Sequence, residues 1–166
     1  MWSAPPSAFG PVDTLVNNAV VMHWTVEDFV DEHWDQAPTV NLTAPAQLLK
    51  LALPGVKQRR CGRIVDMSSV NGLRVNAPAD RLPHHIDRDE FGKTRVVALE
   101  RLEEGITGNA MCPSSVLTPY SDARIQRVMG EEGLTREDAT RRFLAGRQSV
   151  SRFMEAGSIG AMIVFL

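Results

Sequence analysis

Ser69 closes the run Gly62-Arg63-Ile64-Val65-Asp66-Met67-Ser68-Ser69, whose β-rich residues predict a strand. A hydroxyl at a strand end can donate to, and accept from, a carbonyl or alcohol oxygen. Two other predicted strands end in comparable chemistry. Asp13-Thr14-Leu15-Val16 runs into Asn17-Asn18-Ala19, and Ile106 to Cys112 runs into Pro113-Ser114. All these ends are small or polar, as close approach of a ligand requires, although the same residues also make turns. Asn41 lies inside a helical stretch, where asparagine is locally unfavourable. Pro45, four residues on, lacks the N–H that would meet the Asn41 carbonyl. Such a carbonyl can hold a water or mark a kink, and a kink is expected.

Other reactive residue types carry less. His84 has an ordinary pKa suited to acid–base work, and His85 and Asp87 stand close by. Adjacent histidines diverge on a strand and lie about 100° apart on a helix, so a shared ion is awkward. A solvated loop is expected there, without a metal. Gly105-Ile106-Thr107-Gly108 looks like a glycine turn but leads into a strand, whereas a phosphate site needs a helix N-terminus. Trp2, Trp24 and Trp34 are scattered and offer no base-stacking platform. Arg136, Arg141, Arg142 and Arg147 are balanced by Glu131, Glu132, Glu137 and Asp138, which predicts a solvated face.

The elements that must position these groups alternate. Thr25 is placed to cap the turn Val26 to Asp31. A long helix follows from about Glu32 to Arg60, with Val40, Ala44, Leu48 and Leu51 at helical period. Pro54-Gly55 marks a break near its end, and Lys57, Arg59 and Arg60 suit a helix C-terminus. A second helix spans Lys93 to Glu104, with Gly105 as its C-cap. Ser121 to Leu166 reads as two or three helical pieces, one starting at Thr135 with an acidic first turn. The β-α-β-α-β-α order implies right-handed crossovers and a parallel sheet, hence the α/β class. Ligands in such sheets bind beyond the strand C-termini.

The bulk numbers narrow the options. A chain of 166 residues is one domain's worth. Its 43% hydrophobic and 23% charged content argues against disorder and fibrous repeats. Eighteen basic against twenty acidic residues give no general attraction for nucleic acid or anionic lipid. Two cysteines, Cys61 and Cys112, make no disulfide scaffold and fit a reducing compartment. No stretch reaches the ~20 apolar residues of a membrane span, and the N-terminus has no signal-peptide pattern. A cytoplasmic location is expected.

In order and spacing, VDTLVNNA, VNLTAP, GRIVDMSSVNG and GITGNAMCPSSVLTP resemble the short-chain dehydrogenase/reductases, over about residues 9 to 166. The finer detail (ALPG, GRI, VVALE, VLTP) is most similar to D-3-hydroxybutyrate dehydrogenases. The resemblance implies part of a Rossmann-like doubly wound parallel sheet, with strands like the family's fourth, fifth and sixth. It implies NAD or NADP as cofactor and hydride transfer to or from a secondary alcohol or ketone, here NAD-dependent oxidation of a 3-hydroxybutyrate-like alcohol. The family's catalytic group joins Asn, Ser, Tyr and Lys. The Tyr is the general acid/base, the Lys lowers its pKa, the Ser orients the substrate oxygen and the Asn holds a relay water. Ser69 and Asn41 match the serine and asparagine. Asn17, Asn18 and Ala19 match the strand end beside the cofactor's adenosine side. Pro113, Val116 and Thr118 match positions that meet the nicotinamide end.

The departures set further expectations. Val20 and Ser114 stand where the family has glycine, so a positive φ there would be strained. The glycine-rich phosphate loop belongs to a part not represented in these residues. Tyr-x-x-x-Lys is also missing: counting back from Val96-Val97-Ala98-Leu99-Glu100 puts Pro83 at the tyrosine and Asp87 at the lysine, and Tyr120 is the only tyrosine. Asn71 and, approximately, Asp122 replace the expected substrate-reading His and Gln. The domain is expected to lack the phosphate-binding half and the last strand. It would then be marginal and self-associating, with raw sheet edges and one poorly covered face. This polypeptide is therefore expected to be an oxidoreductase by ancestry, with a small-molecule substrate in its ancestor, but inactive by itself. Two alternatives stand beside that. One is a pseudoenzyme or interaction module that pairs through the long helix with itself or an intact relative. The other is a truncated gene product with a frame disruption around Asp80 to Asp89.

Overall fold

The computed structural model describes residues 10–21, 31–73 and 84–166, with side chains of 31–34 and 84–90 excepted. Three strands, β1 (Thr14–Asn17), β2 (Gly62–Met67) and β3 (Ile106–Met111), form one parallel sheet in the order β1-β2-β3. Leu15 pairs with Ile64, Asn17 with Asp66, and Asp66 with Ala110. Parallel neighbours need crossovers, and helices supply them. One crossover is a helical run of α1 (Asp31–Pro38), a π-turn (Thr39–Thr43) and α2 (Ala44–Arg59). The short α3 (Val70–Leu73) and α4 (His84–Glu100) lie between β2 and β3. Three helices follow: α5 (Pro119–Glu132), α6 (Arg136–Leu144) and α7 (Ala156–Phe165). The described part is thus the α/β sheet expected of the order of elements. Among the described residues no helix is long and apolar enough to cross a membrane.

Strand alternation decides which residues meet the helices. Leu15, Ile64 and Ile106 share one face with Asn17, Asp66 and Gly108. Leu49 and Val56 of α2 and Val97 of α4 close on Ile64 and Ile106, with Leu15 and Leu53 against them. Each fully buried aliphatic side chain here contributes roughly 1.5–3 kcal/mol. Glycine is needed where backbones come closest. A Cβ on Gly108 would stand 2.9 Å from the Thr94 carbonyl oxygen of α4. On the opposite face Val65 is buried, while Val16 on β1 is 38% exposed.

The expected kink takes a specific form. With no N–H on Pro45, the ladder shifts by one residue, and the Ala44 N–H donates to the Thr39 carbonyl, an i→i+5 bond. Pro54, in contrast, does not break the helix, which runs on to Arg59. The carbonyl it leaves without an amide partner belongs to exposed Lys50, where water can substitute. Arg60 then ends the run at φ 52°, its N–H donating to Lys57 and the Cys61 N–H to Val56. The second long helix also differs from expectation. It starts at His84 rather than Lys93, so His84, His85 and Asp87 are helical and not a loop, and after Glu100 a 3-10 turn (Leu102–Glu104) finishes it. The strain expected at Val20 and Ser114 is not found: among the described residues Arg60 is the only non-glycine with positive φ.

Other local expectations agree with the structure, although of the predicted apolar stripe Ala44, Leu48 and Leu51 are exposed and α2 packs through Leu49 and Val56 instead. Gly105 caps at φ 71°. Thr135 caps α6 by accepting from the Asp138 N–H. The arginines of α6 are balanced as their neighbours predicted, Arg141 by Glu137 and Asp138 and Arg142 by Glu132.

Gly105 gives a clean test. A Cβ there would lie 2.2 Å from the Arg60 carbonyl oxygen, in addition to the positive φ. Gly133 has φ +65° but nothing within 4 Å of its would-be Cβ. Gly133→Ala should therefore cost only the left-handed penalty, about 1 kcal/mol. Gly105→Ala should cost that plus overpacking, roughly 2–4 kcal/mol in all. Urea melts of the two variants will show the difference; equal losses would contradict the packing described.

Candidate active site

All three strands deliver their C-terminal ends to the same edge of the sheet. Backbone bonds beyond the strands hold them in step: the Ser68 N–H donates to Met111 at 2.8 Å and the Val70 N–H to Pro113 at 3.1 Å. Ser69 and Pro113 are thereby brought side by side. Ser69 is half-buried, and its Oγ accepts from the Asn71 N–H at 3.1 Å. Asn71, which stands where the family has its substrate-reading His, thus fixes the serine through its backbone.

Asn41 sits in the π-turn and is 5% exposed. Its side chain makes a two-point match with the Val21 backbone, Nδ2 donating to the carbonyl and Oδ1 accepting from the N–H, both at 2.8 Å. This pins the segment that follows β1. Asn18 and Ala19 lie exposed between β1 and that anchor.

Asn17 belongs to a buried polar cluster that sequence reasoning did not find. Asp66 is fully buried, a placement that costs several kcal/mol for a lone carboxylate. Here three donors converge on it: Asn17 Nδ2 at 2.7 Å and Lys93 Nζ at 3.1 Å on Oδ1, and Thr94 Oγ1 at 2.5 Å on Oδ2. Lys93 retains 13% side-chain exposure. Asn17 Oδ1 is buried without a hydrogen-bond partner among the described residues. Lys93 is thereby held against the penultimate residue of β2. The signal for it was its place on the helix just ahead of Val96-Val97. Lys93 lies six residues beyond Asp87, the position counted for the family's lysine. Pro83, set at the tyrosine position in the sequence, lies outside the described residues, as do the side chains of Asp87 and Asp89. Thr25 and Trp24 are outside them too.

Beyond β3, the expected nicotinamide-side residues have structural partners. Val116 forms a parallel bridge with Met154, and its carbonyl accepts from Ser121 Oγ at 3.0 Å. Thr118 is the N-cap of α5 in a reciprocal box with Ser121. Asp122 is held by Arg136 and Gln126. The Arg136 hydrogen bond holds its carboxyl below the ordinary aspartate value. Gln148, not foreseen, saturates its amide: Oε1 accepts from Ser114 Oγ and the Ser115 N–H, and Nε2 donates to the Val150 and Arg152 carbonyls. It joins the segment after β3 to the loop before α7, where a cavity of about 400 Å³ opens between Ser114, Phe153 and Ser158.

The comparisons with known proteins fall in line with this geometry. Residues 3–166 match the family described as enoyl-(acyl carrier protein) reductase. D-beta-hydroxybutyrate dehydrogenase of Cupriavidus necator is 38% identical over 164 residues, covering 96% of this chain and 62% of that protein. The chain belongs to the short-chain dehydrogenase/reductase family. The enzyme of the same description from Rhizobium meliloti is 33% identical, covering 100% of this chain and 64% of its own. The chain thus spans a little under two thirds of these curated relatives. Among solved structures, an actinorhodin polyketide ketoreductase variant with NADPH superposes with a TM-score of 0.80 at 30% identity, over 95% of this chain and 61% of that one. L-sorbose reductase from Gluconobacter frateurii, complexed with NADPH and L-sorbose, gives 0.85 at 21% identity over 96% and 60%, which speaks for the fold.

The family implies a nicotinamide dinucleotide, and the residues present fit its two ends differently. Ser69 supplies a hydrogen-bond donor and acceptor at the strand ends, as the reacting end requires. A diphosphate needs open N–H groups at a helix start. At α5, the helix start after β3, the Ser121 and Asp122 N–H groups are already taken by Thr118.

Asn41→Ala tests the anchor. It leaves the Val21 N–H and carbonyl unpaired and should cost about 2 kcal/mol, measured by chemical denaturation. Protection of the Val21 amide against hydrogen exchange should fall in parallel. An unchanged exchange rate would show that the contact does not exist in solution.

Proposed function

We propose that this chain is a nicotinamide-dependent oxidoreductase unit acting on a secondary alcohol or ketone of the 3-hydroxybutyrate class. One observation carries the reading: a half-buried serine hydroxyl stands at the C-terminal edge of a parallel sheet, held beside the segment that follows β3. The relatives' names, D-beta-hydroxybutyrate dehydrogenase in two bacteria, support the substrate class. The NADPH in the ketoreductase structure supports the cofactor class. A bound cofactor supplies the acceptor or donor of hydride. Ser69 Oγ, with one lone pair on the Asn71 N–H, turns its own proton towards a substrate oxygen. Asn41 keeps the segment after β1 in place. A glycine-rich phosphate loop is not among these 166 residues, and Pro83 and Asp87 stand at the positions of the family's tyrosine and lysine. Turnover of D-3-hydroxybutyrate by this polypeptide by itself is therefore expected to fall below detection.

Cofactor binding is the test. NADH or NADPH at ten times its Kd should stabilise the fold by about 1.4 kcal/mol, roughly 3–5 °C in Tm. With contacts confined to the reacting end, the Kd should be millimolar. A thermal shift series to about 10 mM of each cofactor, with fluorescence titration alongside, reads this. No shift with either cofactor would overturn the reading.

A second reading is favoured by α2. Leu48 and Leu51, at helical spacing, are 44% and 50% exposed. An interaction module would bury them against a second copy or an intact relative. Light scattering of purified protein should then show a dimer that Leu51→Glu converts to monomer; a monomer in both cases would remove this reading.

A further inference from the structure

The segments after β3 and before α7 enclose a cavity of about 400 Å³, a volume in the usual range of small-molecule sites. Its walls are fixed by the protein's own bonds. Gln148 joins Ser114 on one side to the Val150 and Arg152 carbonyls on the other. Met154 is tied twice to the segment after β3: its N–H donates to the Ser115 carbonyl at 2.9 Å, and its own carbonyl accepts from the Leu117 N–H at 3.0 Å. The Phe153 ring is backed by Phe143, with centroids 5.7 Å apart. Val150, Phe153 and Met154 give the cavity an apolar side, and two charged side chains, Arg152 and Glu155, line it as well. Among the described residues every other arginine after β3 is engaged. Arg124 and Arg147 lie over the Phe143 ring, and Arg127, Arg136, Arg141 and Arg142 meet carboxylates. Among the same residues the Arg152 guanidinium has neither kind of partner. Glu155 is the N-cap of α7, yet its side chain makes no capping bond and, among the described residues, no ion pair. The two stand three residues apart on one cavity and do not pair with each other.

A preformed apolar wall with one unmatched cation and one unmatched anion calls for a molecule with the three complementary features. We propose that this cavity binds a free apolar α-amino acid. Its carboxylate lies on the Arg152 guanidinium, whose planar fork suits two carboxylate oxygens. Its ammonium lies on the Glu155 carboxylate, and its side chain rests against Phe153 and Met154. A purely anionic ligand would meet Glu155 as a like charge, and a purely cationic one would meet Arg152 in the same way. A zwitterion satisfies both. Ser69, Asn41 and Lys93 do not line this cavity, so the site goes beyond the oxidoreductase reading and does not depend on it.

Titration of L-leucine into 15N-labelled protein reads the binding. Backbone amides of residues 148–158 should shift saturably with a Kd of about 1 mM, the scale for a ligand of this size at an open site. Isocaproate, which lacks the ammonium, and isoamylamine, which lacks the carboxylate, should each bind about tenfold more weakly, the scale of one charge-assisted hydrogen bond. Arg152→Gln and Glu155→Gln should each weaken leucine by about the same factor. Both should leave Tm unchanged, since neither side chain holds the fold. Crossing variants with analogues separates the two contacts. Arg152→Gln should not weaken isoamylamine further, and Glu155→Gln should not weaken isocaproate further, because each analogue already lacks the group that the lost side chain would meet. No saturable shift at residues 148–158 up to about 50 mM leucine would overturn the proposal. Equal affinity for leucine and isocaproate would overturn it too, marking a simple anion site. So would a loss in either variant that is the same for all three ligands.

Discussion

A carboxylate sealed inside a small domain constrains everything packed around it. Asp66 lies on the face of the sheet that meets α4, and its oxygens are satisfied from two elements at once: β1 through Asn17, and α4 through Lys93 and Thr94. α4 can reach because Gly108 lets the Thr94 backbone close on β3. A side chain at 108 would push the helix off, and the charge would lose its partners. The apolar contacts of Val97 with Ile64 and Ile106, one turn along the same helix, depend on the same approach. Burying a charge is not in itself stabilising, and a well-packed apolar set often does as well. What the arrangement supplies is a single register between strand ends and helix.

The helical run before β2 shows a similar economy. Pro45 removes one donor, and the ladder answers with a π-turn. Asn41 lies in that turn, in position to grip the Val21 backbone. An irregularity in one element is thereby used to fix another. π-turns inside helices are often found at functional sites, and this one is adjacent to the edge where the strand ends collect.

Much of this was legible in the residues. The three strands stand where their runs predicted, because each run is short and its ends are abrupt. Gly105 and Thr135 were legible as caps because capping is decided within one turn of chain. The family resemblance came from motifs in register and agrees with relatives over nearly the full chain. What could not be seen came from contacts distant in sequence. The stretch from His84 to Gly92 is polar and weakly periodic, so α4 seemed to begin late. Lys93 was passed over because its partner lies 27 residues away. Gln148 looks like any surface glutamine until its loop folds back on Ser114, 34 residues earlier. The strain foreseen at Ser114 is not found, and that same glutamine holds the segment.

The saturated amide of Gln148 also bears on how these loops can change. With two lone pairs and two N–H bonds all engaged, its reach sets the gap between the segment after β3 and the one before α7. Adding or removing a residue between 149 and 152 would alter a span that one rigid group measures. Surface loops ordinarily absorb insertions at small cost. Here the length of the loop is gauged by a side chain, so drift in this lineage should favour exchange of side chains there over gain or loss of residues.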